Sequence, residues 1–338
     1  MTVTIKDLAK LANVSHTTVS RALNNSPFIK EETKRKIMEL AAQMNYTPNV
    51  NAKSLVMQRS YTIGLFFTSL KRGTSSSFFA DAMSGVNQVI DVEYNLFTRG
   101  IEDYADYASI HRKRFDGIIV MSQSESDNAF IYHVLQQEIP LVVLNRQVAD
   151  SRIINILSDD KEGAYAAGKH LIAAGHTRIA MIEGVEGFKS TQQRREGLLN
   201  ALIDSGIPIV GDYFVHGRYD MESGFQAMLD LLKLEQPPTA VFCANDDMAI
   251  GAMKAAFERG KRVPEDISVI GFDDIEFAQF TTPSLTTIKR PIEEISAEGA
   301  RKLLRLIDDP SAAGERLFLK TELMRRNSTA KPAGLEAI

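Results

Sequence analysis

Apolar residues recur at three- and four-residue spacing in three short blocks near the start of the chain. Ile5, Leu8, Ala9 and Ala12 share one helical face, Val19, Ala22 and Leu23 a second, and Ile37, Leu40, Ala41 and Met44 a third. Asn13 stands at the corner between the first two blocks, and Asn is among the few non-glycine residues that tolerate the left-handed conformation a tight turn needs. Ser15 then offers a hydroxyl N-cap, with Val14 and Val19 at the two positions of a hydrophobic staple. Residues 1–47 therefore read as a small three-helix bundle, its third helix running from about Glu31 to Met44 with Asn45 as its cap. Pro48 breaks the chain direction, and a weakly helical segment, Asn49 to Met57, makes 48–60 a hinge and linker.

From Tyr61 the period changes. Short apolar runs, YTIGLFF, YNLFTRG, FDGIIVMS, PLVVLNR, INILSDD, RIAMIEG, TAVFCAND and ISVIGFDD, alternate with amphipathic segments such as EGAYAAGKHLIAAG and SGFQAMLDLLKL. Strand and helix in alternation predict a parallel sheet covered on both faces. About nine such strands exceed one ordinary doubly wound sheet, so an α/β core of two parallel-sheet lobes is expected, dividing near Asp159. Ligands in open α/β sheets bind beyond the carboxyl ends of the strands, which directs attention to the cleft between the lobes. No internal sequence repeat is visible.

At 338 residues the chain is long enough for several domains, and its 44% hydrophobic content gives no sign of disorder. Charge is unevenly placed. Residues 1–60 hold nine basic and four acidic side chains, net +5, so the overall charge of −4 leaves −9 on the remaining 278. A single cysteine, Cys243, cannot form an internal disulfide. MTVTIKDLAK lacks the apolar region of a signal peptide and no run approaches the ~20 residues of a membrane helix, so a cytoplasmic protein without a membrane partner is expected.

Two helices around a tight corner can carry a DNA-reading second helix, with side chains near its N-terminus meeting base edges and phosphates in the major groove. In HTTVSRALNN, His16, Thr17 and Arg21 face outward while Val19 and Leu23 face inward. A capped amphipathic pair with a purely structural role has the same pattern, and the local positive charge is what favours DNA. Over VTIKDLAKLANVSHTTVSRALNN and KEETKRKIMELAAQMNYTPNVNAKSL the chain resembles the headpiece and hinge of the LacI/GalR family of bacterial transcription regulators. HLIAAGHTRIAMIEG, RREG, PPTAVFCANDDMAIGAM, VPEDISVIGFDD and PSLTTIKRP resemble the same family's effector-binding core, in the same order. Within the family the chain is most similar to Gram-positive regulators of multiple-sugar and α-galactoside use.

The resemblance implies a periplasmic-binding-protein-type core over 61–330, its first lobe formed by about 61–159 plus 291–318, its second by about 160–290 plus 319–330, with 331–338 a tail. It places base reading on His16, Thr17 and Arg21, backbone contacts on Thr4, Ser15, Ser20, Asn24, Thr33, Tyr46 and Asn49, and a minor-groove wedge on Leu55 beside Ala52. Asn13 and Lys30 depart from the glycine and the capping serine common in relatives, so the third helix begins less firmly. The segment GVNQVIDVEYNLF also leaves little room for the helix that relatives carry between their first two core strands. For a small carbohydrate effector the resemblance implies Arg194, Asn245 and Asp273 as hydroxyl partners, Tyr219 as the ring beneath the sugar, and Phe78, Phe79 and Asn145 from the first lobe. Capping of the following helices is the competing reading for Asn245 and Asp273.

No catalytic chemistry is indicated. GVEGFKS lacks the ending of a phosphate-binding loop, the six histidines show no metal spacing, and Asp246, Asp247, Asp273 and Asp274 form a carboxylate group without a catalytic context. Neither cofactor nor metal is expected. The expected protein is a homodimeric repressor on a palindromic double-stranded DNA operator, without leucine heptads for a coiled-coil tetramer. A purine or nucleoside effector on the same scaffold, or a two-lobed solute receptor, are the alternatives.

Overall fold

The computed structural model describes residues 3–23, 26–46, 59–309 and 314–332. The chain divides into two compact units, Met1–Ser60 and Tyr61–Ile338. Asn24, Asn49, Ala52 and Leu55, and with them most of the expected hinge, lie outside the described residues.

In the first unit, helices α1 (Ile5–Ala12), α2 (His16–Leu23) and α3 (Glu31–Gln43) pack around Leu8, Ala9, Ala12, Val19, Ala22, Ile37 and Ala41. Asn13 makes the corner in the left-handed conformation, φ 55° and ψ 45°. The Ser15 hydroxyl accepts the Thr18 N–H at 3.0 Å and caps α2, while Val14 packs against the core that buries Val19. Lys30 supplies no side-chain cap to α3, which relies on Glu31 and Glu32 in its first turn to complement the helix dipole.

The second unit holds two sheets. Strands β1 (Thr62–Phe67), β2 (Asn95–Gly100), β3 (Gly117–Met121), β4 (Leu141–Leu144) and β5 (Ile154–Ser158) alternate with helices α4 (Ser76–Asn87) and α5 (Asn128–Gln136). Next come α6 (Asp160–Ala173), β6 (Ile179–Glu183), α7 (Lys189–Asp204), β7 (Phe214–His216), α8 (Met221–Leu231), β8 (Ala240–Cys243), α9 (Asp246–Glu258), β9 (Ser268–Asp273) and β10 (Thr286–Lys289). Finally α10 (Ile292–Asp308) and β11 (Arg316–Leu319) return to the first sheet and β12 (Glu322–Met324) to the second.

The sheets read β11-β5-β4-β3-β1-β2 and β12-β10-β9-β8-β6-β7, all parallel except the β10–β12 pair. They are the same arrangement built twice, although no sequence repeat announces it. Each reverses its strand order beside the first strand, so residues following β1, β3, β6 and β8 converge at the switch points where such sheets bind ligands. The chain passes between lobes three times, at Asp159, at Arg290–Pro291 and at Lys320–Thr321.

Twelve strands stand among the described residues against about nine expected. β7, β11 and β12 are three- or four-residue edge strands with exposed positions, too short for an apolar run. β10 is interior, yet its Thr286 and Thr287 read as polar; both are fully buried, and the Thr287 hydroxyl donates to Asp246 Oδ1 at 2.5 Å. The helix that GVNQVIDVEYNLF left no room for starts earlier, in SSFFADAM, where Ser75 accepts the Phe78 N–H.

Gly251 of α9 lies against α8 so closely that a β-carbon there would sit 1.9 Å from the Met221 carbonyl oxygen. Gly251→Ala is expected to push the pair apart and cost about 1–3 kcal/mol in urea unfolding. Gly211→Ala, at a position with nothing within 4 Å, should stay within about 0.5 kcal/mol of the parent.

Candidate functional site: an exposed helix and an interlobe cleft

In the first unit, α2 buries Val19 and Ala22 and presents His16, Thr17 and Arg21 to solvent. The helix contains no acidic residue. Its N-terminal turn combines free side chains with the positive end of the helix dipole, as contact with a polyanion requires. Thr33 and Ser20 are half-buried. The Thr4 hydroxyl donates to Asp7 at 2.7 Å, the Ser15 hydroxyl is the cap of α2, and Tyr46 leans on the core of the bundle. These three hold the bundle's shape.

In the second unit, Gly73, Ser75, Phe78 and Gln123 from the first lobe meet Ser190, Arg194, Tyr219, Asn245 and Asp273 from the second, with Arg290 at a crossover. They enclose about 20 Å³, room for roughly one water. Clefts of about 710 Å³ beside Arg72 and Arg218, and about 530 Å³ beside Arg146 and Lys189, flank this centre. The lobes touch across it. The Lys189 N–H donates to the Gln123 carbonyl at 2.8 Å, and Gly73, at φ +77°, lies where a β-carbon would come within 2.6 Å of the Phe188 ring.

Arg194 is fully buried over the Phe272 ring, 3.8 Å from its centroid. Nε and Nη2 both reach Asp160 Oδ2, at 3.0 and 2.9 Å, Nη2 also meets Asp273 Oδ1 at 3.3 Å, and Nη1 donates to the Ala244 carbonyl. Burial works to discharge the guanidinium, but Asp160 and Asp273 outweigh it and raise its pKa. Burial likewise opposes ionisation of Asp160, and Arg290 and Arg194 overcome it, so that carboxyl lies below the usual range. Asp273 is shifted up, because desolvation exceeds the help it receives from Arg194 and Arg290. Asp81 and Asp247 are each pushed up to about 6 by burial and then by the Asp273 charge. One Asp247 oxygen and the Asn145 Nδ2 are buried without a hydrogen-bond partner. A carboxylate set short of donors, beside guanidinium groups and two aromatic rings, Phe78 and Tyr219, suits a ligand rich in hydroxyl groups.

Residues 4–49 match the bacterial regulatory proteins of the lacI family, and residues 169–329 match the periplasmic binding protein-like domain. The probable HTH-type transcriptional repressor ExuR of Bacillus subtilis (strain 168) is 64% identical over 329 residues, covering 97% of this chain and 99% of that protein. The chain belongs to the LacI family of bacterial regulatory proteins. The lac repressor dimer bound to operator and the anti-inducer ONPF matches 98% of this chain and all of its own, at 28% identity and TM-score 0.82. The transcriptional regulator CelR–cellobiose complex matches 96% of this chain and 99% of its own, at 27% identity and TM-score 0.73. Members of the family are transcription regulators, not enzymes.

Against that family background, Arg194, Asp273, Tyr219 and Phe78 come together at the closed centre. Tyr219, at φ 64°, has its hydroxyl 2.8 Å from Thr191 Oγ1 and 3.1 Å from Ser190 Oγ, and its ring lies alongside Phe188. Asn245 also lines the cavity, but its amide is engaged: Oδ1 accepts the Met248 N–H at 3.0 Å as the cap of α9, and Nδ2 donates to the Tyr219 carbonyl at 3.2 Å. Phe79 turns toward Phe67, ring centroids 5.3 Å apart, and packs on the first-lobe core instead of lining the cavity. Asn145 Oδ1 accepts from Arg290 Nη2 at 3.3 Å. Sequence reasoning missed Asp160 and Arg290. Both stand at lobe junctions, immediately after INILSD and TTIK, and those strand ends were the available signal.

Removing Arg194 leaves two buried carboxyls without their shared cation. Arg194→Met is expected to cost about 3–5 kcal/mol at neutral pH. Asp160's lowered pKa contributes stability above its unfolded value of about 3.9 and loses it below, so the gap between variant and parent should narrow on acidification. Asn245→Ala removes the cap of α9 together with the amide bond to the Tyr219 carbonyl and should cost about 2–3 kcal/mol. Urea titrations at pH 7 and about pH 3 measure all three.

Proposed function

We propose that this protein is a cytoplasmic, dimeric repressor of carbohydrate-utilisation genes whose hold on a palindromic operator is set by a small sugar between the core lobes. The observation that carries the reading is the pairing, in one chain, of an acid-free exposed second helix with a cleft lined by hydroxyl-complementary side chains. His16, Thr17 and Arg21 are the base-reading set, Arg21 having the fork geometry that matches guanine. Family membership and the operator-bound dimer of the lac repressor support the DNA and dimer halves, and the cellobiose complex of CelR supports the sugar half. A single small headpiece buries too little surface for tight specific binding, which is why two are required.

Arg194, Asp273 and Tyr219 are assigned to the sugar, with Asn145 Nδ2 and the free Asp247 oxygen as further partners. Small-molecule sites usually need about 300–1,000 Å³, far more than the closed centre provides, so the lobes part to admit the ligand and close around it. The sugar then acts only through its different affinity for the lobe arrangements that favour and disfavour operator binding.

Two measurements test this. Selection from random duplex by the full-length protein should enrich a palindrome, and Arg21→Ala should lose about 1–3 kcal/mol of discrimination against a mismatched half-site while sugar binding is retained. A melting-temperature screen of D-ribose, D-galactose, cellobiose, D-glucuronate and adenosine should show a shift for a sugar that Asp273→Asn abolishes. No enrichment over random competitor overturns the DNA reading, and a shift from adenosine alone replaces the sugar by a nucleoside.

A further inference from the structure

Asp160 pairs with two buried arginines, Arg194 and Arg290. Its Oδ2 accepts from Arg194, at 2.9 and 3.0 Å, while its Oδ1 stands 3.1 Å from Arg290 Nε and accepts the Ser158 hydroxyl. Ser158 in turn accepts from Arg290 Nε at 2.8 Å. All three charged side chains are about 2% exposed. Their positions follow a line through the molecule: Arg194 on α7 of the second lobe, Asp160 just past the first crossover, Arg290 on the second crossover. Beyond Arg290 lies the first lobe, where Asn145 accepts from its Nη2 at 3.3 Å and the Phe78 ring lies 5.9 Å away. The main chain repeats the linkage, since the Arg290 N–H donates to the carbonyl of Asp273 at 3.2 Å.

Arg194 has five N–H donors, and its contacts with Asp160, Asp273 and Ala244 engage all but one. A sugar that takes more than one bond from this guanidinium must therefore draw it away from Asp160, Asp273 or the Ala244 carbonyl, and any such shift of the guanidinium moves its two bonds to Asp160. A carboxylate this deeply buried cannot lose part of its partnership without seeking compensation from the other partner at hand. For Asp160 that partner is Arg290, which sits on the strap joining the lobes.

We propose that Asp160 is a positioning residue that relays sugar occupancy at Arg194 to the Arg290 crossover and through it to the first lobe. The proposal rests on the sugar-responsive repressor reading above. It assigns Asp160 no contact with the sugar or with DNA. The device is a two-sided salt bridge in which Arg194 on Oδ2 and Arg290 on Oδ1 share one carboxyl, so that a change on the ligand side becomes a change in how the lobes are strapped together.

The test uses full-length protein, a fluorescent duplex carrying the palindrome enriched by the wild type, and the member of the ligand screen that gives the largest melting-temperature shift. The quantity read is the ratio of operator Kd with and without that sugar, expected in the parent to lie in the range of about 5- to 150-fold typical of allosteric coupling. Asp160→Asn should bring the ratio below about threefold while the sugar still raises Tm, with Asp160→Glu restoring most of it. Because Asp160→Asn leaves charge unbalanced and can unfold the protein, Ser158→Ala provides the milder variant. It removes only the hydroxyl bridging Asp160 and Arg290, and should at least halve the coupling on a logarithmic scale with sugar-free operator Kd within about threefold of the parent. A folded Ser158→Ala or Asp160→Asn protein with undiminished coupling overturns the relay and leaves the repressor reading intact. A parent that enriches no duplex, or whose duplex ignores every sugar in the screen, overturns both.

Discussion

Burying ions without water is tolerated only when every charge has a partner within contact distance, and the centre of this core is organised around that constraint. Arg194 and Arg290 reach the interior from different segments of the chain, and the carboxyl of Asp160 pairs with both, while Arg290 alone reaches on to Asn145 of the first lobe. The arrangement fixes the lobes' meeting point chemically: apolar surfaces slide past one another, but a guanidinium held at 3 Å from a carboxylate does not. It also fixes where adaptability remains. Asp273, Asp81 and Asp247 are left with less compensation than burial demands, and their carboxyls are shifted upward; Asp273 lines the centre and Asp247 the cleft beside Arg72 and Arg218.

The duplicated topology puts these groups there. In both sheets the strand order reverses beside the first strand, so the loops after β1, β3, β6 and β8 all open toward the same gap. Gly73, Ser75, Gln123, Ser190 and Asn245 arrive by that route. The three crossovers lie beside it, and Asp159 and Asp160 serve two of them at once: the Asp159 carboxylate accepts the Thr321 N–H at 2.6 Å while Asp160 holds Arg290. The cleft and the crossovers are therefore one region.

Periodicity along the chain revealed the helical bundle, the turn at Asn13, the cap at Ser15 and the alternation of strands and helices, because in each the pattern and the local backbone chemistry agree. It missed β10 because a threonine buried with its hydroxyl bonded looks the same in sequence as one in water. Arg194, Tyr219 and Asp273, singled out through short motifs, do come together at the closed centre. Asn245 was ambiguous from the start, since an asparagine after a strand serves a helix end or a ligand equally well; here both ends of its amide are committed within the protein. Phe79 could not be separated from Phe78, its neighbour on α4, without knowing which face of that helix meets the sheet. Asp160 and Arg290 were invisible as a pair because 130 residues separate them and neither spacing nor period connects a salt bridge formed by topology.

The division of charge explains why a modest change in the core could matter to DNA. With +5 on residues 1–60 and −9 on the rest, attraction to a polyanion is confined to the small bundle, and the larger body opposes it. Affinity for a palindrome in the proposed dimer then comes from two weak heads engaged together, and such binding depends on their effective concentration at each other's half-site more than on either head's own contacts. Effective concentration falls steeply when geometry no longer lets both ends engage. A core rearrangement of a few ångströms thus needs only to spoil simultaneous engagement, leaving each bundle folded and each base-reading side chain unaltered. That demand is within reach of a ligand whose preference for one lobe arrangement is worth only 1–3 kcal/mol, about the size of coupling that one contested salt bridge can supply.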